Sequence, residues 1–258
     1  MDIIKNIVKD FQEINGIRAI ALGGSSASHY DDSISDFDLY FYTDSEIDLK
    51  KRIEIAQKYS DNFEIDNRFF ETGDEWTLRD TNKGIDIMYR SPEWIESQIK
   101  RIWEEYGASV GYSTCFIYNV KNSEILYDKN NWYKNLQEKV SSEYPEQLSK
   151  NIIDKNLPLI YGKMAATFTE QITNAVKRND FVSVNHRISA FLASYFDVIF
   201  ALNKQLHPGE KRLIRFAKDN CKLLPENFEK NINDLITSPI NEKEIYLDKI
   251  IKELKILF

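Results

Sequence analysis

The residues of this chain best suited to chemistry are three aspartates and a glycine turn. Asp36-Phe37-Asp38 follows Gly23-Gly24-Ser25 after a ten-residue gap, and Asp86 comes later, within Ile85-Asp86-Ile87. Side chains two apart on a strand point the same way. A strand over 36–43 therefore puts Asp36 and Asp38 on one face and Phe37, Leu39 and Phe41 on the other. Two carboxylates held that close repel each other unless a cation joins them, and hard divalent ions such as Mg²⁺ take carboxylate and phosphate oxygens. On a second strand, 84–90, Asp86 alternates with Ile85, Ile87 and Tyr89, so it faces away from that strand's apolar side. If the two strands are neighbours, three carboxylates converge. Two metal ions about 3.5–4 Å apart would then serve the attacking and leaving oxygens of an in-line displacement. The glycines allow a tight turn whose backbone N–H groups approach a phosphate. The set predicts phosphoryl or nucleotidyl transfer, with metal on Asp36, Asp38 and Asp86 and phosphate over Gly23, Gly24 and Ser25. Asp86 is also placed to take the acceptor's proton.

A second group of candidates lies in the C-terminal half. The run 181–206 carries an apolar stripe of Val184, Ile188, Phe191, Tyr195, Ile199, Leu202 and Leu206, with His186, Ala190, Ala193, Asp197, Ala201 and Lys204 opposite. The alanines around Asp197 let a ligand or another helix come close. Asp197 reads as an acceptor-binding carboxylate or general base, or else as a salt-bridge partner in the bundle or an exposed residue, since an unpaired buried charge is costly. His186 reads as a structural or surface histidine. Downstream, His207-Pro208-Gly209-Glu210-Lys211-Arg212 is a turn opening a helix over 210–222, which loads Lys211, Arg212 and Arg215 onto its first turns. The helix dipole disfavours cations there, and an anion would relieve the conflict. Lys211 and Arg212 thus read either as contacts to a triphosphate or as surface charge offset by Glu210.

Those residues need elements to position them. Ile3, Ile4, Ile7, Val8 and Phe11 give a helix over 2–14, and the apolar run 17–22 a buried strand ending at the glycines. A helix over 46–59 and a strand over 63–70 follow the aspartate strand. Ser91-Pro92-Glu93 is a helix start, with proline at the first helical position and acid in the first turn. From about residue 145 the pattern is all helix, with segments at 181–206, 210–222, 226–237 and 241–257. The expected fold class is α+β, a mixed sheet flanked by helices in a domain over 1–125, then a helical bundle over 126–258.

Composition narrows the classes. The 258 residues are 42% hydrophobic, enough for a folded core. Cys115 and Cys221 stand far apart, which argues against a zinc site or disulfide framework and for a reducing cytosol. Residues 1–15 mix charge with apolar groups, unlike a signal peptide. No apolar run approaches the roughly 20 residues a membrane span needs. The net charge of −7 weighs against a nucleic-acid partner and suits a cationic small substrate. Tyr40, beside the aspartates, and Trp76 are candidates to stack on a base or sugar.

Gly24-Ser25, the ten-residue gap, Asp36-Phe37-Asp38 and the later Asp86 resemble the signature of the DNA polymerase beta-type nucleotidyltransferase superfamily. The resemblance covers roughly residues 15–90. It implies a mixed sheet flanked by helices, two Mg²⁺ ions, an NTP donor such as ATP, attack on the α-phosphorus and loss of pyrophosphate. Size and layout are most similar to the antibiotic nucleotidyltransferases of aminoglycoside and lincosamide type, which implies a small-molecule hydroxyl as acceptor and a role in antibiotic resistance. The run from His186 to Arg212 resembles an uncharacterised C-terminal domain attached to such modules. Ser26-Ala27-Ser28-His29-Tyr30 departs from the more basic or glycine-rich loop of related enzymes. Two rivals remain: nucleotidyl transfer to a protein side chain or tRNA end, and a nucleotide-binding regulatory or antitoxin-like module with little turnover.

Overall fold

The computed structural model describes residues 2–23, 36–69, 71–162 and 166–258. Gly24, Ser25 and the loop that follows lie outside the described residues. The chain divides into two compact units, and it passes between them more than once: one unit comprises residues 1–100 and 116–142, the other 101–115 and 143–258.

The first unit is built on a six-stranded mixed sheet. Its strands are β1 (Ile17–Gly23), β2 (Phe37–Thr43), β3 (Ser60–Asn67), β4 (Gly73–Leu78), β5 (Gly84–Arg90) and β6 (Glu124–Asp128), in spatial order β3-β4-β5-β2-β1-β6. β2 and β5 run parallel, and the other neighbours are antiparallel. Helices α1 (Asp2–Gln12) and α2 (Leu49–Tyr59) complete one core. Ile4, Ile7 and Phe11 of α1 meet Ile20 and Leu22 of β1, Leu39 and Phe41 of β2, and Ile85 and Ile87 of β5, all essentially buried. That core takes one face of the sheet, so the alternate residues of β2 and β5 turn to the other. α3 (Pro92–Ile99) begins as its sequence requires, with the Ser91 hydroxyl accepting the Trp94 N–H at 3.2 Å and Pro92 at the first turn. Helices α4 (Cys115–Asn122) and α5 (Trp132–Val140) flank β6.

β4 has no counterpart in the expected elements. Its Asp74 points inward, 1% exposed, where Arg52 of α2 pairs with it and Tyr89 donates a hydrogen bond at 2.8 Å. A carboxylate on the core side erased the alternation that would have marked the strand.

The second unit is helical: α6 (Glu146–Ile160), α7 (Phe168–Lys177), α8 (Phe181–Leu202), α9 (Leu213–Asn220), α10 (Phe228–Thr237) and α11 (Lys243–Leu254). α8 is the central helix. Tyr195 stacks on Phe191 and on Phe228 of α10, each at 6.1 Å. α8 stops at Leu202, four residues short of the expected end. Lys204 turns left-handed at φ 54, and Gln205 N–H returns to the Phe200 carbonyl at 2.9 Å, closing a Schellman motif without a glycine. α9 begins at Leu213, so Lys211 and Arg212 precede the helix instead of sitting in its first turn.

Candidate active site

The carboxylates meet through strand register. Parallel pairing sets Asp38 beside Asp86, antiparallel pairing sets Asp86 opposite Glu75, and Glu75 faces Glu64. Four acids therefore form one row across β2, β5, β4 and β3, on the face away from the core. Like charges directly opposite one another destabilise a sheet, and this row repeats the conflict at each step. Glu75 receives one local donor, the Asn67 side-chain amide at 3.1 Å.

Asp36 stands just before β2 and accepts the Gly84 N–H at 3.1 Å. Gly84 permits this approach, because a Cβ there would lie 2.5 Å from an Asp36 carboxylate oxygen. Asp36 and Asp86 line a polar cavity of about 800 Å³ with Asn62, Glu64, Glu75 and Thr77. Gly23 closes β1 in register with Asp38. Its bare Cα makes room for the Tyr40 ring, which would lie 2.2 Å from a Cβ.

The donor set is all carboxylate, which suits a hard cation. Among the described residues, no three His, Cys, Asp or Glu side chains are gathered so as to hold a metal ion by themselves. Mg²⁺ does not require such a cage, since it binds through one or two carboxylates and completes its shell with substrate phosphates and water. The Asp38–Asp86 pair, with Asp36 at the same edge, fits that mode.

The aromatic candidates fall elsewhere. Trp76 is 2% exposed and stacks on Phe11 in the core. Tyr40 is 7% exposed, and burial pushes its phenol up to about 12. Neither offers a face to a nucleotide. Tyr40 instead packs under the Arg90 guanidinium at 4.4 Å, and Arg90 forks onto Glu71 at 2.8 and 2.6 Å. This buried cation lies on the carboxylate side of the sheet, two alternations along β5 from Asp86. The sequence holds no local sign of the ion pair, because Glu71 lies 19 residues earlier.

In the helical unit Asp197 is 2% exposed. Its carboxylate accepts the Ser113 N–H at 3.0 and 3.1 Å, the Ser113 hydroxyl at 2.6 Å and the Asn156 amide at 3.4 Å. None of the described Lys or Arg residues forms an ion pair with it, so two of the readings open to Asp197, the salt bridge and the exposed residue, give way to a buried carboxylate with a neutral set of donors. Burial pushes its carboxyl up to about 6 against those hydrogen bonds. The alanine side of α8 is covered by the 109–113 loop and by α6, where the Ser149 hydroxyl donates to the Ala201 carbonyl at 2.7 Å. His186 is exposed, as are Lys211 and Arg212. Arg212 holds a left-handed backbone, φ 56, as the residue before α9. Ser113 and Asn156 escaped sequence reading because their pairing with Asp197 spans 84 and 41 residues.

The fold is α+β, a mixed sheet flanked by helices with C-terminal helices. Residues 112–213, less than half of the chain, match the model of a family described as a domain of unknown function (DUF4037). No curated protein matches. Among solved structures, a nucleotidyltransferase-like protein from Exiguobacterium sibiricum 255-15 aligns with 98% of this chain and 74% of its own, at 9% identity and a TM-score of 0.47. A toxin–antitoxin with AMP-PNP and a mutant of the toxin–antitoxin MntA-HpeT each align with 60% of this chain and 94% of theirs, at 16% identity and a TM-score of 0.31. All three TM-scores lie below 0.5, so the functional reading rests on the residues. Among the described residues no helix is long and apolar enough to cross a membrane.

Proposed function

We propose that the chain is a Mg²⁺-dependent nucleotidyltransferase that moves NMP from an NTP, ATP in the first instance, to a hydroxyl of a small molecule and releases pyrophosphate. The observation that carries this reading is the in-register pair Asp38–Asp86 on the polar face of the sheet, with Asp36 beside it and β1 ending alongside at Gly23. Two carboxylates kept side by side, in a row that extends to Glu75 and Glu64, repel one another across the strands. A bound divalent cation offsets that repulsion and, when present, neutralises the triphosphate and the charge developing on the leaving group.

In this reading Asp36, Asp38 and Asp86 hold the metal, and the backbone from Gly23 through Gly24 and Ser25 cradles the donor phosphates. Asp86 is also a candidate to take the proton from the attacking hydroxyl. Lys211 and Arg212 supply positive charge to the triphosphate. The helical unit serves the acceptor, and Asp197 contributes by fixing the 109–113 loop. An aminoglycoside or lincosamide is the proposed acceptor, and the cytoplasm the proposed site of action. The row of acids favours a cationic acceptor of the aminoglycoside kind.

The test is incubation with each labelled NTP, Mg²⁺ and a panel of aminoglycosides and lincosamides, with pyrophosphate release followed and products identified by mass spectrometry. An adduct heavier by one NMP supports the reading and names the acceptor. Pyrophosphate release with label on protein or tRNA moves the acceptor class. Absence of both nucleotide binding and pyrophosphate release overturns the enzyme.

A further inference from the structure

We propose that the helical unit carries a ligand site of its own, a cavity bounded by α8, α9 and α10 that takes an amphiphilic anion: a flat apolar body bearing one carboxylate, sulfonate or phosphate. The cavity encloses about 720 Å³, within the range of about 300–1,000 Å³ typical of small-molecule sites. Its floor is apolar, with Leu192 and Phe196 of α8 and Ile232 of α10. Ile236 and Tyr112 also line it and remain 52% and 40% exposed. Apolar surface left open in a concavity is the kind that a ligand covers.

The rim has a distinct charge. Arg215 and Lys218, three residues apart, share one side of α9, and Arg212 stands just before the helix; all three line this cavity. Asp219 and Glu229 line it too. Asp219 lies 3.8 Å from Arg215, and Glu229 lies 2.5 Å from Lys218, bridging α9 to α10. These acids hold the cations in place, and Lys218 has three donors for its one carboxylate. The three rim cations exceed the two rim acids by one, which favours an anion over a neutral or cationic ligand, and a small polyanion would leave the floor wet. An amphiphilic anion satisfies both.

Backbone strain marks the same wall. Most described non-glycine residues with positive φ are Asn or Asp, which tolerate that region. The others are Tyr106, Tyr112, Lys204 and Arg212, and of these Tyr112 at φ 55 and Arg212 at φ 56 line the cavity. Strained conformations of this kind concentrate at ligand clamps. The Tyr112 ring is backed by the buried His207 ring at 4.7 Å, which fixes its position.

The site has Arg212 in common with the residues proposed for the triphosphate, and its test involves no turnover and leaves Arg212 in place. The probes are dansylate, an aromatic ring system carrying a sulfonate, and dansylamide, the same rings without the charge, each titrated by fluorescence into the full chain. Two variants of exposed residues dissect the site: R215Q/K218Q removes rim charge and leaves Lys211 and Arg212 intact, and Asn233→Trp fills the cavity from α10. Dansylate is expected to bind one site, more tightly than dansylamide. R215Q/K218Q should weaken dansylate about tenfold and leave dansylamide unchanged, the scale of one charged hydrogen bond. Asn233→Trp should weaken both. Equal affinity of the two probes for wild type, dansylate binding that survives Asn233→Trp, or no binding to wild type would each overturn the proposal.

Discussion

Replacing Asp197 by Asn should change how stability depends on pH, because its carboxylate is buried among neutral donors. Burial pushes its carboxyl up to about 6 from a reference value of 3.8. The folded state then holds the proton over a range where the unfolded chain has released it. The stabilisation from protonation is fully present below the unfolded value and is lost as pH rises through about 6. The whole difference, about 2.2 pH units, corresponds to roughly 3 kcal/mol. Between about pH 8 and about pH 5, linkage predicts that wild type gains roughly 1.4 kcal/mol that Asp197→Asn does not. Among the titratable neighbours, Tyr112 and Tyr144 are pushed upward, first by burial and then by nearby negative charge, and stay out of this window. His207 is pushed down to about 3 by burial, so it costs stability as pH falls through its unfolded value of 6.5, but it does so in both proteins and drops out of the comparison. The assay is urea unfolding of both proteins at the two pH values, followed by far-UV circular dichroism. At the higher pH the Asn variant should equal or exceed wild type, since its carbonyl still accepts the Ser113 N–H without a buried charge. Parallel pH dependence in the two proteins would refute the reasoning.

At the proposed active site, Asp36→Asn or Asp38→Asn should abolish Mg²⁺-dependent NTP turnover with the thermal midpoint unchanged or raised, read by pyrophosphate release and calorimetry; near-normal turnover removes the metal assignment. Gly84→Val places a side chain where the Asp36 carboxylate now lies, 2.5 Å from the new Cβ, and should cut turnover without unfolding the protein. Arg52→Ala leaves Asp74 buried without its cation and should cost about 3–5 kcal/mol in urea unfolding; a loss under about 1 kcal/mol would mean the pair is not held in solution. Replacing Lys211 and Arg212 with Ala should weaken NTP binding in calorimetric titration, and unchanged affinity would leave these cations without a role in the donor site.

The sequence revealed the faces of the sheet more clearly than its neighbours. Phe37, Leu39 and Phe41 alternate with Asp38, Tyr40 and Tyr42 because one side of β2 lies on the core, and the same period places Asp86 on β5. That alternation made the three catalytic candidates legible before any coordinate. Register is a property of pairs of strands, so the extension of the row to Glu75 and Glu64 became visible only in the sheet. β4 stayed hidden because Asp74 breaks the apolar period and is compensated by an arginine 22 residues earlier. Asp197 was legible as a residue out of keeping with its apolar surroundings. Its partners were not, because they come from a loop and a helix far away in sequence. The limit of α8 was misread because Lys204 adopts the left-handed turn that glycine usually supplies.

The interleaved path of the chain bears on how this protein can be taken apart. Residues 101–115 belong to the helical unit, yet they lie in sequence between two segments of the sheet-bearing unit. A fragment starting at 143 would retain Asp197 and Asn156 but lose Ser113 and Gly111, the backbone groups those side chains bind. A fragment ending at 142 would carry the 101–115 excursion with no partner for it. Neither half is therefore a unit that a single cut can release, and genetic shuffling at one junction would leave buried polar groups orphaned in one product. A graft carrying both helical segments, 101–115 and 143–258, together respects the way the chain is threaded.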